Sequence, residues 1–203
     1  NKKMIIKIYK RVHSKYLKLF NFFFFLRYVF LIFLITTSVF LTTPKFFNYE
    51  EKKEIIKKYL DDYYNLEVKS INKIEYKIFP FPNLSVQNLN FKIKDTSINF
   101  QSNNINIFLV LKNIYNYKDF KAGKILFKQN KISLDFDESK NLINYFKRLK
   151  YKFDIQNLNL YLLKEGNSLI NIKNINFSNH GYRKYNIEGK VFDKRFEASL
   201  KNN

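Results

Sequence analysis

Acid–base or metal chemistry in this chain would have to be assembled from His13, His180 and the adjacent carboxylates Asp61 and Asp62. His13 lies in a strongly basic run and His180 in an Asn-His-Gly turn, and neither has a second His at ligand spacing. Asp61 and Asp62 fall in helical sequence, where neighbours diverge by about 100 degrees, so they do not form a catalytic pair. The chain has no Cys, which removes a thiol nucleophile, a thiolate metal site and a disulfide. Its four glycines (Gly123, Gly166, Gly181 and Gly189) are too scattered to cradle a phosphate. Nothing marks a Ser–His–Asp set. The expectation is a protein without catalytic residues, metal or cofactor.

The side chains that recur with order are apolar. From Leu66 onward they alternate: Ile74, Tyr76, Ile78; Leu89, Phe91, Ile93; Ile105, Ile107, Leu109, Leu111; Ile132, Leu134, Phe136; Leu158, Leu160, Leu162; Ile170, Ile172. A period of two predicts strands with one apolar and one polar face. Short turns at Lys164–Ser168, Asn179–Gly181 and Val191–Arg195 predict antiparallel neighbours. Two helical interruptions are expected, at Glu138–Lys150 and near Leu111–Tyr117.

One word is written three times: SVQNLNF at Ser85–Phe91, DIQNLNL at Asp154–Leu160 and NIKNINF at Asn171–Phe177. Its apolar positions step by three and then by two, as in Val86, Leu89 and Phe91. A strand with a one-residue bulge gives that step. The starts lie 69 and 17 residues apart, so no fixed-period repeat is present. Chance recurrence in an Asn-rich chain is the competing explanation.

An apolar run precedes these strands. Phe20–Pro44 reads FNFFFFLRYVFLIFLITTSVFLTTP, with no charge over the 17 residues from Tyr28 to Pro44. Including Phe22–Leu26, with Arg27 reaching back to the headgroups, gives roughly the 20 residues that cross a bilayer. Phe22, Arg27, Phe30, Phe33 and Phe40 are the expected anchor residues. Seven cations and no acid precede the span, which puts the N-terminus in the cytoplasm and the rest outside. A cleaved signal peptide fits less well, because the apolar run is long and no Ala-x-Ala-like site follows.

After the span, Glu50–Asn65 places Ile55, Ile56, Tyr59, Leu60 and Tyr63 at helical spacing. It reads as an amphipathic helix that either caps the sheet or lies at the membrane surface. The formal charge of +20 admits two causes, an anionic partner or a compositional bias towards Lys, Asn, Ile, Phe and Tyr. The cations are spread through the chain and the inferred topology is extracytoplasmic, so no nucleic-acid partner is expected.

About eight strands with one apolar face pose a physical problem. Leaving that face wet is unfavourable by roughly 25 cal/mol per Å². A second sheet, helices or a bound apolar guest must cover it, and two short helices are few for eight strands. Beside a membrane, the available guest is an acyl chain.

The order of basic start, anchor, short helix, strand and FPFPNLSVQNLNF (Phe79–Phe91) resembles the opening of AsmA-like proteins. Ile105–Asp137, a strand running into a Leu-rich short helix and two further strands, is similar to the family, as is the strand–Gly–strand hairpin Tyr185–Leu200. The resemblance spans most of Lys45–Leu200 and rests on residue-type patterns. Asn65 stands where the family often has Gly.

The resemblance implies an inner-membrane protein with a periplasmic β-groove, taking part in phospholipid transport and outer-membrane biogenesis. The implied fold is mainly β: a transmembrane helix and an amphipathic helix, then a curved antiparallel sheet with one or two helical interruptions. The implied organisation is a basic cytoplasmic segment (1–19), an anchor (20–44), a juxtamembrane helix (45–65) and a β-groove domain (66–203), incomplete at its C-terminus. The implied partners are phospholipid, the inner membrane and other envelope proteins. Val86, Leu89, Phe91, Ile105, Ile107, Leu109, Leu158 and Leu160 are the expected acyl-chain contacts. The alternative is a membrane-anchored assembly or scaffold factor whose apolar face is closed by protein.

Overall fold

The computed structural model describes residues 2–118, 120–182 and 184–199. The chain divides into two compact units, Asn1–Thr43 and Pro44–Asn203. The first is one helix, α1 (Lys2–Thr42). At a rise of 1.5 Å per residue it is about 60 Å long, roughly twice a bilayer core. It is long and apolar enough to cross a membrane, with none of its apolar window buried. Phe22, Arg27, Phe30, Phe33 and Phe40 are all exposed on it. The described part of the basic segment before Phe20, from Lys2 on, lies in the same helix.

After α1, two short 3-10 turns (Thr43–Phe46 and Glu50–Lys52) lead into α2 (Lys53–Tyr64). Ile56, Tyr59, Leu60 and Tyr64 lie at helical spacing and are buried. The helix stops at Asn65, which adopts φ 51°, ψ 41° and donates its N–H to the Asp61 carbonyl at 3.0 Å. Asn enters this left-handed region at less cost than most side chains.

Among the described residues, nine strands follow in one sheet: β1 (Leu66–Ser70), β2 (Lys73–Lys77), β3 (Asn83–Ile93), β4 (Asn99–Leu109), β5 (Ala122–Asp135), β6 (Phe153–Lys164), β7 (Asn167–Ser178), β8 (Asn186–Val191) and β9 (Lys194–Ser199). β1 and β2 share the outer edge of β3, and the sheet then runs in chain order from β3 to β9. Tight turns made of left-handed pairs close two hairpins: Glu165–Gly166 joins β6 to β7, and Phe192–Asp193 joins β8 to β9.

The sheet is mixed where antiparallel pairing throughout was expected. β5 and β6 run parallel, with Ile132 beside Leu160 and Leu134 beside Leu162. Parallel neighbours need a crossover, and α3 (Ser139–Arg148) supplies it. The helical interruption expected at Glu138–Lys150 is therefore the element that reverses the chain. The second interruption is a single 3-10 turn, Leu111–Asn113.

The recurring word has a structural meaning. Asn88, Asn157 and Asn174, the fourth residue of each copy, have φ of 50°, 55° and 55°, and Gln129 of β5 has 54°. Gln87 pairs with Asn104 and Leu89 with Ser102 in one unbroken register, so Asn88 and Asn103 face each other as one extra residue in each strand. The same holds for Asn103 and Gln129, and for Gln129 and Asn157. The extra residues line up from β3 to β6; between β6 and β7 they are staggered, first an extra residue in β6 and then one in β7. Extra residues of this kind bend the strands that carry them, which makes this line the kink of the sheet. The step of three keeps the apolar residues on one face on both sides of that line.

Candidate lipid-binding face

That face is a set of cross-strand rows. On one side of the kink, Val86, Ile105, Phe127, Ile155 and Phe177 are successive partners, and all are buried. On the other side the row is Phe91, Phe100, Ile132, Leu160, Ile172 and Val191.

The chain's own helices cover the first row. Phe146 of α3 packs on Phe153 and Phe177 with ring centroids 6.0 and 5.0 Å apart, and Tyr64 of α2 lies 6.1 Å from Phe153. Hydrogen bonds fix these helices. The Tyr145 hydroxyl donates to the Tyr64 carbonyl at 2.8 Å, and the Ala122 N–H donates to the Tyr59 hydroxyl at 3.1 Å. Burial pushes the Tyr145 phenol far above its ordinary range, so it remains a donor. The Tyr64 and Tyr49 phenols are raised likewise, chiefly by burial.

Asn179 secures the same lid. It is 6% exposed, accepts from the Phe153 N–H at 2.8 Å and donates to the carbonyls of Leu149 and Tyr151 at 3.2 and 2.7 Å. Its neighbour His180 reads as a turn residue in the sequence, yet its Nε2 lies 2.9 Å from Asp154 Oδ1, while Lys124 Nζ lies 2.9 Å from Asp154 Oδ2. Asp61 pairs instead with Lys94, at 2.6 Å. His13 lies in α1.

The second row changes along its length. Phe91, Phe100 and Ile132 are buried, and the first two stack with centroids 4.6 Å apart. Leu160, Ile172 and Val191 are only half-buried, as is Ile170 beside Leu162. Of the eight acyl-chain contacts expected from sequence, Val86, Leu89, Phe91, Ile105, Ile107, Leu109 and Leu158 lie in the covered part, at most 8% exposed. Leu160 alone reaches the uncovered part. Sequence reasoning did not single out Ile170, Ile172 and Val191 as contacts. Their alternation was visible, but their distance from the covering helices was not.

The opposite face is polar. A cavity of about 1040 Å³ there is lined by amides of β4 to β7, Asn103, Gln129, Asn157 and Asn174 among them, and by Lys190, Arg195 and Glu197 of β8 and β9. Several of these amides are engaged in the kink itself. The Asn157 N–H donates to Asn176 Oδ1 at 3.0 Å, and the Asn174 N–H donates to Asn159 Oδ1 at 3.2 Å. They satisfy backbone groups that the extra residues remove from the ladder. Among the described residues, no three His, Asp or Glu come together as a metal site.

No protein-family model matches the chain, and no solved structure matches it. Among curated proteins it is similar to the UvrABC system protein C of Mycoplasmoides gallisepticum, with 29% identity over 170 residues, which is 77% of this chain and 28% of that protein. The chain spans less than a third of that relative's length, and the likeness assigns it to no family.

Proposed function

We propose that this chain is a single-pass membrane protein that holds phospholipid acyl chains on the uncovered end of its apolar sheet face. The carrying observation is the row from Phe91 to Val191, which passes from buried to half-buried without losing its apolar character. Apolar surface left in water is unfavourable, and an acyl chain laid along Leu160, Ile172 and Val191 relieves it. The cations before the span favour a cytoplasmic N-terminus and an extracytoplasmic sheet. In the setting implied by the AsmA-like resemblance, the membrane is the inner membrane, the sheet is periplasmic, and the process is phospholipid transport in outer-membrane biogenesis.

A second reading has its own support. The chain's own helices and rings bury seven of the eight contacts expected from sequence, which favours a scaffold whose face is closed by protein. Native mass spectrometry of the full chain, released from detergent micelles, separates the two. Lipid holding gives a bound phospholipid that disappears in Ile172→Asp. A folded chain that carries no phospholipid, or carries the same amount after that substitution, supports the scaffold and overturns lipid holding.

A further inference from the structure

The end of the sheet nearest the start of the second unit carries exposed aromatic residues that the lipid-holding face does not use. Phe79 and Phe81, in the turn between β2 and β3, are 84% and 69% exposed. Phe46, in the 3-10 turn after α1, is 86% exposed, and Leu111 and Tyr115, in the connection after β4, are also exposed. Three links bring these segments together. The Leu109 N–H donates to the Pro82 carbonyl at 2.9 Å. Phe47 packs edge-on against Tyr115 with centroids 5.6 Å apart. Tyr49 packs edge-on against Tyr117 with centroids 6.3 Å apart.

We infer that this end of the sheet embeds in the interface of the bilayer that α1 enters, with the aromatic rings at headgroup depth. The inference rests on the reading of α1 as a membrane span. Chain continuity identifies the occupant. Phe46 closes the apolar stretch Val12–Phe46 and lies four residues past the end of α1, so the patch begins where the span ends. Its composition fits the same occupant: aromatic rings in two loops and a turn, with Lys45, Lys77 and Lys112 exposed among them. Rings with a wet rim and flanking cations are the residue set that settles between acyl chains and anionic headgroups. A soluble partner would also cover rings, but it would not have to start four residues from a bilayer-length helix.

The absence of Cys permits single-site spin labelling. The full chain is labelled at Phe81→Cys, Leu111→Cys, Phe30→Cys or Gln101→Cys and reconstituted in vesicles of phosphatidylcholine with phosphatidylglycerol. Accessibility to oxygen and to a water-soluble nickel chelate is then read. Labels at 81 and 111 are expected to lose nickel accessibility relative to 101, and to regain it when Phe46 and Phe79 are both changed to Ser. Labels at 81 and 111 as nickel-accessible as 101, with 30 still protected, overturn the embedded patch and leave the span standing. Nickel accessibility at 30 as well overturns both.

Discussion

The kink line makes a quantitative claim about three exposed asparagines. Asn88, Asn157 and Asn174 sit at φ of 50° to 55°, where a Cβ crowds the neighbouring carbonyl at a cost of roughly 1–2 kcal/mol for an ordinary side chain, while Asn and Gly are tolerated. Replacing Asn157 by Val introduces a β-branched side chain, the kind least compatible with positive φ. It is expected to cost about 2 kcal/mol, and Asn157→Gly close to nothing. Asn88 lies three strands away, about 14 Å at the usual strand spacing, beyond the range where substitutions couple strongly. Asn88→Val with Asn157→Val should therefore lose about 4 kcal/mol, a large share of the 5–15 kcal/mol that holds a typical domain folded. Urea unfolding of the full chain in micelles, followed by tyrosine near-ultraviolet circular dichroism, measures this, because the chain has no Trp and 15 Tyr. Valine variants as stable as the glycine variants would refute the aligned left-handed residues.

The remaining predictions concern the lid. Burial raises the Tyr145, Tyr64 and Tyr49 phenols above their ordinary value near 10, so above that pH the unfolded chain loses these protons while the folded chain keeps them. Stability is complete below pH 10 and falls as pH rises further; alkaline unfolding that does not begin near pH 10 would contradict the burial. Tyr145→Phe leaves the Tyr64 carbonyl without its donor and should cost about 1–2 kcal/mol in the same urea titration, with the alkaline transition shallower. Asn179→Ala strands the buried Phe153 N–H and loosens two carbonyls. It should cost about 2–3 kcal/mol, with faster amide exchange at Phe153.

Much of this fold could be read from residue types. The step of three from Val86 to Leu89 is visible because an extra residue shifts the apolar alternation by one, although the left-handed Asn88 that makes it was not singled out, and the apolar periods marked α2 and α3 to within a few residues. The parallel pairing of β5 with β6 was not visible. A strand with one apolar face alternates the same way beside either kind of neighbour, and only the three-dimensional path of α3 decides between them. The extent of the lid was hidden for a similar reason. Leu158 and Leu160 belong to one alternation, yet Leu158 is 2% exposed and Leu160 is half-buried, because cover depends on where Phe146 and Tyr64 reach. Asn179 and the His180–Asp154 pair gave only a turn signal, since their partners lie 26 residues or more away in sequence.

The most direct test of lipid holding is site-specific photo-crosslinking of the full chain in native membranes, with the photoreactive residue at Ile172, at the adjacent Lys173 on the polar face, or at buried Phe91. A phospholipid adduct at Ile172, absent at Lys173 and Phe91, is the expected result. Equal capture at Ile172 and Lys173, or none at Ile172, would contradict an acyl chain resting on the open end of this sheet.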